Sequence, residues 1–143
     1  MRLQYAGLHI GRVLLASLFI LGGINKMLNF ETTAATMTGM GFPLVPFILP
    51  ATIALEFGGG MAVAVGRAGA AVSALLLFVY TIVVNSLFHR FWEVGGDAGQ
   101  AELSLFFKNI SVAGGMLYLA ASLPDLNRRG QGLMSRKVRD RKF

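Results

Sequence analysis

The chain contains no cysteine, which excludes disulfides, CxxC redox pairs, thiolate metal sites and cysteine nucleophiles together. It is also poor in charge, since 14% of its residues are Asp, Glu, Lys or Arg, against roughly 25% in an ordinary soluble domain. Its 143 residues, 55% of them hydrophobic, are too few to bury so much apolar surface in a water-soluble core. The same composition excludes disorder. It argues against a soluble globular enzyme.

Sequence motifs for nucleotide and hydrolytic chemistry are missing as well. The chain has no Walker motif, no Rossmann fingerprint, no GxSxG and no HExxH. Phosphate binding by a glycine-rich loop and hydrolysis by an activated serine or metal-bound water are therefore unsupported. What the sequence does contain is a set of long hydrophobic runs.

Four apolar runs are each long enough to cross a bilayer, which takes about 20 residues. They cover residues 6–28, 46–66, 68–88 and 103–123. A signal peptide is the alternative for the first run, but no small-x-small cleavage site follows it. Only Arg67 and small neighbours separate the second and third runs, so these two helices must be antiparallel. The sequence predicts an all-α integral membrane four-helix bundle, antiparallel and up-down, over residues 1–127.

Positive charge is concentrated at one side of this predicted bundle. The formal net charge is +6, and seven of the 13 Lys and Arg residues lie in a basic tail, residues 128–143. A basic stretch beside a hydrophobic segment is typical of a cytoplasmic flank, so we expect no nucleic-acid partner. An even number of spans puts Arg2, Arg67 and this tail on one side. We therefore expect both termini in the cytoplasm and the longer loops, residues 29–45 and 89–102, outside.

Four charged residues fall inside the predicted spans, where charge is costly and normally faces the bundle interior or a wet cavity. They are Arg12, Lys26, Glu56 and Lys108. At about 1.5 Å per residue, Glu56 lies near the midplane, with Arg12 and Lys108 about 8 Å from it on the cytoplasmic and outer sides. Lys26 and His89 fall near the outer interface. The third span adds a polar stripe at four-residue spacing, made of Thr81, Asn85 and His89. The sequence thus predicts a column of polar groups weighted to the outer half.

Glu56 is the most informative residue of this column. A lone carboxylate at the midplane would be protonated, whereas Arg12 or Lys108 within reach would keep it ionised. Two interpretations stay open: a structural ion pair that fixes helix register, or an acid that transfers protons or binds a ligand. The surplus of three positive charges over one negative charge points to an anionic or electron-rich partner, unless acidic loop residues compensate it.

Histidine and tryptophan residues near the span ends give weaker signals. His9 and His89 lie near opposite faces of the predicted membrane, too far apart to share a metal ion or to sandwich a haem. We therefore expect no metal and no haem. Trp92 is typical of interfacial anchoring, although His89 beside it closes a polar stripe. Small residues spaced by four, such as Gly7 and Gly11, indicate close helix packing within the bundle or in a homo-oligomer.

Five short motifs together resemble one family. They are Arg12 with the run LFILGGINK ending at Lys26, MGFP at 40–43, LEFGGG at 55–60, HRFW at 89–92 and FKN at 107–109. In this order, on four spans, they resemble the DoxX family of small bacterial inner-membrane proteins. The resemblance implies a four-helix bundle in the bacterial cytoplasmic membrane. It carries over the motif residues Arg12, Lys26, Glu56, Arg67, His89, Trp92, Lys108 and Asn109.

The resemblance also implies a link to quinone chemistry. The family takes its name from a subunit associated with a terminal quinol oxidase; related chains belong to thiosulfate:quinone oxidoreductases, and others resemble membrane anchors for oxidative-stress enzymes. The absence of cysteine departs from any member proposed to do thiol chemistry directly. If this chain takes part in catalysis, we expect it to be a subunit of a quinone-linked oxidoreductase rather than a stand-alone enzyme.

Three functions follow as hypotheses. The first is a redox accessory subunit that binds a quinone in the outer half of the bundle and works with a redox partner protein. The second is a non-enzymatic protein that binds or transports a lipid or small molecule. The third is a membrane anchor or assembly factor. The candidate ligand-binding or proton-transfer residues are Glu56, Lys108, His89, Arg12, Lys26, Asn109, Asn85 and Trp92, with apolar walls expected from Phe19, Phe57, Phe106 and Phe107.

Overall fold

The computed structural model describes the backbone of residues 2–67 and 69–139 and the side chains of residues 6–67 and 69–123. That part of the chain is helical and contains no strand. Its elements are α1 (Arg2–Leu28), α2 (Phe30–Gly39), α3 (Val45–Ile53), a π-helical segment (Ala54–Gly59), α4 (Gly60–Val65), α5 (Ala70–Phe88), a 3-10 turn (Phe91–Glu93) and α6 (Gly96–Arg139). The side chains of Arg2 and of the basic tail lie outside the described residues.

Four helical stretches are long and apolar enough to cross a membrane. They are Ala6–Leu28, Val45–Val65, Ala70–Glu93 and Gly96–Leu123. The second stretch runs without a break from α3 through the π segment into α4. The predicted all-α bundle of four antiparallel spans is therefore confirmed, and the outward faces carry the large apolar side chains that contact with lipid requires. The side on which the termini lie stays a prediction.

Two regions next to the predicted spans contain more helix than the sequence indicated. The segment predicted as a loop over residues 29–45 contains α2, in which Thr33, Thr36 and Thr38 hydroxyls donate to the carbonyls four residues earlier. The last apolar stretch ends at Leu123, as predicted, and helix α6 itself continues past Pro124 to Arg139. Proline removes one backbone hydrogen bond and can kink a helix without ending it.

Glycines bring α1 close to the second span. A Cβ at Gly23 would lie 2.9 Å from the Phe57 backbone nitrogen, and one at Gly60 would lie 2.9 Å from Ile20 Cγ1. Neither distance leaves room for a side chain, so both glycines are required by the close approach of the helices. This is the small-residue packing expected between helices in lipid, where apolar contact alone gives no preference for protein over lipid tails.

The two ends of the bundle are closed differently. At one end, Gly66 and Gly69 have positive φ values of 69° and 89° and form the tight turn between α4 and α5. At the other end, Phe42 follows α2 and stacks on Phe88 at the end of α5, with ring centroids 5.4 Å apart. That stack holds the α2–α3 connection against α5, and it forms one wall of the chamber described next.

Candidate ligand-binding site

Glu56 is held by two partners that come from two other helices. Lys26 Nζ, near the end of α1, lies 3.0 Å from Glu56 Oε1 and 2.8 Å from Oε2. The Tyr80 hydroxyl, in the middle of α5, donates to Oε1 at 2.6 Å. Glu56 is only 6% exposed. We call Lys26, Glu56 and Tyr80 the carboxylate triad; it joins three of the four spans at one carboxyl group.

The π-helical segment and α1 shape the place where this carboxylate lies. Glu56 is the third residue of the π segment, which has wider turns than an α-helix and is common at functional sites. Gly22 of α1 faces the carboxylate, because a Cβ there would lie 3.2 Å from Glu56 Oε2. The LEFGGG and LGGINK motifs thus meet: the first supplies the acid, and the second supplies the space beside it and the lysine that neutralises it.

The carboxylate triad forms the floor of a cavity of about 430 Å³ between α3 and α5, with α2 at its side. This volume is within the range of small-molecule pockets. The polar residues that line it are Lys26, Thr52, Glu56, Tyr80 and His89. The apolar residues that line it are Met37, Phe42, Ile48, Val83, Val84, Leu87 and Phe88. An apolar chamber with a few convergent polar groups is the arrangement typical of cofactor and ligand sites.

Each polar end of the chamber pairs a basic side chain with a carboxylate. Lys26 and Glu56 form an ion pair at the floor. At the mouth, His89 Nδ1 lies 2.8 Å from Glu102 Oε2 on α6, so a charged imidazole would face a carboxylate. The triad also leaves hydrogen-bonding capacity for a guest. An ammonium group has three N–H donors, and the hydroxyl oxygen of Tyr80 still has lone pairs after it donates.

A second apolar concavity lies on the other side of the π segment. It is an open groove of about 620 Å³, lined by Met27, Phe30, Pro50, Ile53, Ala54, Phe57 and Gly58. No charged side chain lines it. It offers surface to a lipid chain but no polar group to orient a ligand, so the chamber above the carboxylate triad is the better candidate site.

Three of the predicted site residues, Glu56, Lys26 and His89, line the chamber. Asn85 and Asn109 lie together but apart from it. Asn109 Nδ2 donates to Asn85 Oδ1 at 2.9 Å, and Asn85 Nδ2 donates to the Phe106 carbonyl at 3.1 Å. Asn85 is 1% exposed. These two asparagines connect α5 to α6 in the bundle interior.

The predicted column that included Arg12 and Lys108 does not form. Arg12 Nη2 donates to the Val65 carbonyl at the end of α4, at 3.4 Å. Its spacing from Lys26 puts both on one face of α1, but 14 residues also separate them by about 21 Å along the helix. Lys108 lies on the exposed face of α6, because the contact of α6 with α5 is made through its neighbour Asn109.

The four phenylalanines predicted as apolar walls, Phe19, Phe57, Phe106 and Phe107, lie away from the chamber. Trp92 is 56% exposed and packs edge-on against Phe91 and Phe106. Phe107 is exposed beside them, Phe19 is in the main core, and Phe57 lines the open groove. None of these four phenylalanines lines the chamber. The exposed Trp92 cluster is what an interfacial anchor requires.

Tyr80 is the site residue that the sequence analysis missed. It lies outside the four-residue spacing of the polar stripe, so periodicity gave no reason to select it. A signal was nevertheless present, because tyrosines of membrane helices concentrate at the interfaces. A tyrosine nine residues before the interfacial His89 is about 13 Å deeper along the helix, where its hydroxyl needs a partner inside the protein.

The asparagine pair permits a prediction that separates a structural contact from a ligand contact. Asn109→Ala removes the donor to Asn85 Oδ1, and we expect it to lower the free energy of unfolding by about 1 kcal/mol, as for other hydrogen bonds between membrane helices. Ligand affinity should not change, since neither asparagine lines the chamber. Ser111→Ala, on the exposed side of α6, is the control. A loss of ligand binding without a loss of stability would place Asn109 in the site.

The fold and the chamber together define a class: an integral membrane protein of four helices with a buried ion pair beneath an apolar cavity. The DoxX family model matches residues 7–90. The inner membrane protein YqjF of Escherichia coli (strain K12) is 34% identical over 123 residues, covering 86% of this chain and 88% of that relative. The inner membrane protein YphA of the same organism is 30% identical over 115 residues, covering 80% and 81%. No solved structure matches the chain. The chain belongs to the DoxX family.

Proposed function

We propose that this chain binds a quinone in the chamber above the carboxylate triad and serves a membrane oxidoreductase as an accessory subunit. One observation carries the proposal: the Lys26–Glu56–Tyr80 hydrogen bonds lie at the floor of an otherwise apolar cavity of about 430 Å³. A quinone has the matching chemistry, since its ring is apolar and planar and its carbonyl oxygens accept hydrogen bonds.

The residues present fit a quinone ring. The Lys26 ammonium has a donor left for a carbonyl oxygen, and the Tyr80 oxygen can accept from a quinol hydroxyl. The apolar side chains of α5 and the Phe42–Phe88 stack enclose the ring. A quinone bound there supplies two-electron, two-proton redox chemistry, for which the chain has no cysteine of its own. The electrons therefore come from or go to a partner protein.

Membrane orientation belongs to the same proposal. The turn with Arg67 and the end of α1 with Arg12 face the cytoplasm of the inner membrane, and the chamber opens in the outer half. Because the native chain lacks cysteine, single introduced cysteines report the side directly. A membrane-impermeant maleimide applied to intact cells should label Glu31→Cys on α2 and not Arg67→Cys. The reverse labelling pattern would invert the orientation.

Quinone binding is tested first on the protein as purified, by extraction and mass spectrometry, and then by titration of decylubiquinone into protein in lipid nanodiscs. Tyr80→Phe is the informative variant, because it removes one hydroxyl from the floor and keeps the ring. We expect its affinity for the reduced form, decylubiquinol, titrated in the same way, to fall about five- to tenfold, because the Tyr80 oxygen accepts one hydrogen bond from a quinol hydroxyl. Tyr118→Phe is the matched control, since Tyr118 is exposed on α6 and its loss should change nothing.

Other outcomes would point to the other functions. If only bulk lipid is extracted and decylubiquinone does not bind, the quinone proposal is wrong and an anchor or assembly role gains support. If both tyrosine variants lose affinity equally, the quinone binds somewhere other than the chamber. Flux of a small molecule into vesicles that contain this chain alone would favour transport.

A further inference from the structure

We infer that the chamber selects electrically neutral ligands and that Glu56 is the residue that sets this selectivity. The inference rests on the proposed ligand-binding function and adds to it the charge that a bound ligand must have. Three intramembrane cations against one anion indicated an anionic or electron-rich partner in the sequence; the inference keeps the electron-rich partner and removes the anionic one.

The charges that line the chamber cancel. Lys26 Nζ and Glu56 Oε2 are 2.8 Å apart, so the pair has no net charge wherever its shared proton lies. His89 also lines the chamber and becomes positively charged when it takes up a proton. Its Nδ1 lies 2.8 Å from Glu102 Oε2. A proton on His89 is therefore matched by a carboxylate.

The cations that would have attracted an anion lie elsewhere. Lys108 is on the exposed face of α6. Arg12 donates to a carbonyl at the opposite end of the second span. Among the described residues, Lys26 is the chamber's single lysine or arginine, and Glu56 neutralises it.

An anionic ligand would consequently meet an unfavourable floor. It would lose its hydration on entering an apolar chamber, and the attraction of Lys26 would be offset by repulsion from Glu56, whose two oxygens lie within 3.0 Å of the same ammonium. A neutral ligand with an acceptor oxygen needs only the remaining Lys26 donor. The floor thus recognises a carbonyl group and rejects a carboxylate.

Substitution of the two charged residues should have opposite consequences. Glu56→Gln keeps the shape of the side chain and leaves Lys26 without its counter-ion, so the chamber should begin to accept anions. Lys26→Gln leaves the carboxylate without its cation, so anions should stay excluded. This asymmetry would not arise if the ion pair only held helices together, because both variants would then lower the affinity for every ligand to the same extent.

The experiment compares two probes of nearly equal shape, the neutral para-octylacetophenone and the anionic para-octylbenzoate. Binding is measured at neutral pH by native mass spectrometry in nanodiscs of zwitterionic phosphatidylcholine, with empty nanodiscs as the partitioning control. On the unmodified protein we expect the ketone to bind at least about tenfold more tightly, a difference of about 1.4 kcal/mol. In Glu56→Gln we expect affinity for the benzoate to rise at least about tenfold, and in Lys26→Gln we expect no rise.

Failure of the inference and failure of the proposed function give different results. Equal or tighter binding of the benzoate to the unmodified protein would overturn the selectivity while ligand binding stands. If neither probe nor decylubiquinone binds, the proposed function itself fails and the inference with it. If Glu56→Gln does not fold, the wild-type comparison still decides the selectivity, and a gain of benzoate binding in Lys26→Gln would show that Glu56 does not set it.

Discussion

Lys26→Met is expected to lower the free energy of unfolding by about 3 kcal/mol or more, the largest effect of any single charged residue here. The substitution leaves the Glu56 carboxylate, whose side chain is 8% exposed, with the Tyr80 hydroxyl as its remaining partner. Breaking a buried ion pair by removing one member typically costs about 3–5 kcal/mol, because the remaining group must either stay buried as an uncompensated charge or take up a proton. Unfolding of the purified protein in mixed micelles measures the difference.

Lys108→Met is the matched control, since it makes the same chemical change on the exposed face of α6. Lys108 lies on the outward face of a membrane span, where a lysine costs free energy, so removal of its charge should not lower the free energy of unfolding. Equal losses in the two variants would show that Lys26 has no special role. A larger loss in Lys108→Met would favour the column of charges that the sequence predicted.

Gly66→Ala is expected to cost about 2–3 kcal/mol, from two separate causes. Gly66 has a φ of 69° in the turn after α4, and a left-handed conformation costs a residue with a Cβ roughly 1–2 kcal/mol. The added Cβ would also displace the Arg12 guanidinium, which is the flexible end of its side chain, so this adds about 1 kcal/mol for the lost hydrogen bond to the Val65 carbonyl. The same unfolding measurement applies.

Gly69→Ala separates the two causes. Gly69 lies in the same turn with a φ of 89°, but an added Cβ would meet no atom within 4 Å. We therefore expect only the backbone cost there, about 1–2 kcal/mol. If the two alanine variants are equally destabilised, Arg12 does not pack against Gly66 as described, and its hydrogen bond to the α4 carbonyl is also in doubt.

The fold could be predicted from the sequence because its determinants are local. A run of about 20 apolar residues is sufficient to indicate a span, and the short Gly66–Gly69 connection is sufficient to make two spans antiparallel. Helix α2 was missed because its threonines favour no single conformation by propensity, and their hydroxyls stabilise the helix only once its carbonyls are in place.

The candidate site could be predicted only in part. The sequence indicates which residues share a face of a helix, but not which neighbouring helix that face contacts. Glu56 was recognised by its cost at the midplane, Lys26 by its charge inside a span, and His89 by its place in the polar stripe of the third span. The pairing of Glu56 with Lys26 depends on the close approach of α1 to the π segment at Gly22 and Gly23. Helical periodicity alone does not predict a π segment. The long side chain of a lysine also places its ammonium group several ångströms from the backbone, so the position of the residue along the helix gives only a coarse depth for the charge in the membrane.

Identification of Tyr80 changes the chemistry that the site can do. With Lys26 and Tyr80 both bonded to Glu56, the carboxylate is a fixed anchor for two groups that can each contact a ligand. The contacts that join α1 to α5 through Glu56 also line the chamber, so the structural interpretation of Glu56 and the proposed ligand-binding one are compatible.

The most direct test of this account is photolabelling with an azido-substituted short-chain quinone, followed by peptide mapping of the labelled protein in nanodiscs. We predict labels in the α2–α3 connection and α3, around Phe42 and Thr52, and in α5 around Val84 and Phe88, reduced by an excess of decylubiquinone. Labels confined to the open groove at Phe30 and Phe57, or left unchanged by decylubiquinone, would contradict a quinone site above the Lys26–Glu56–Tyr80 floor.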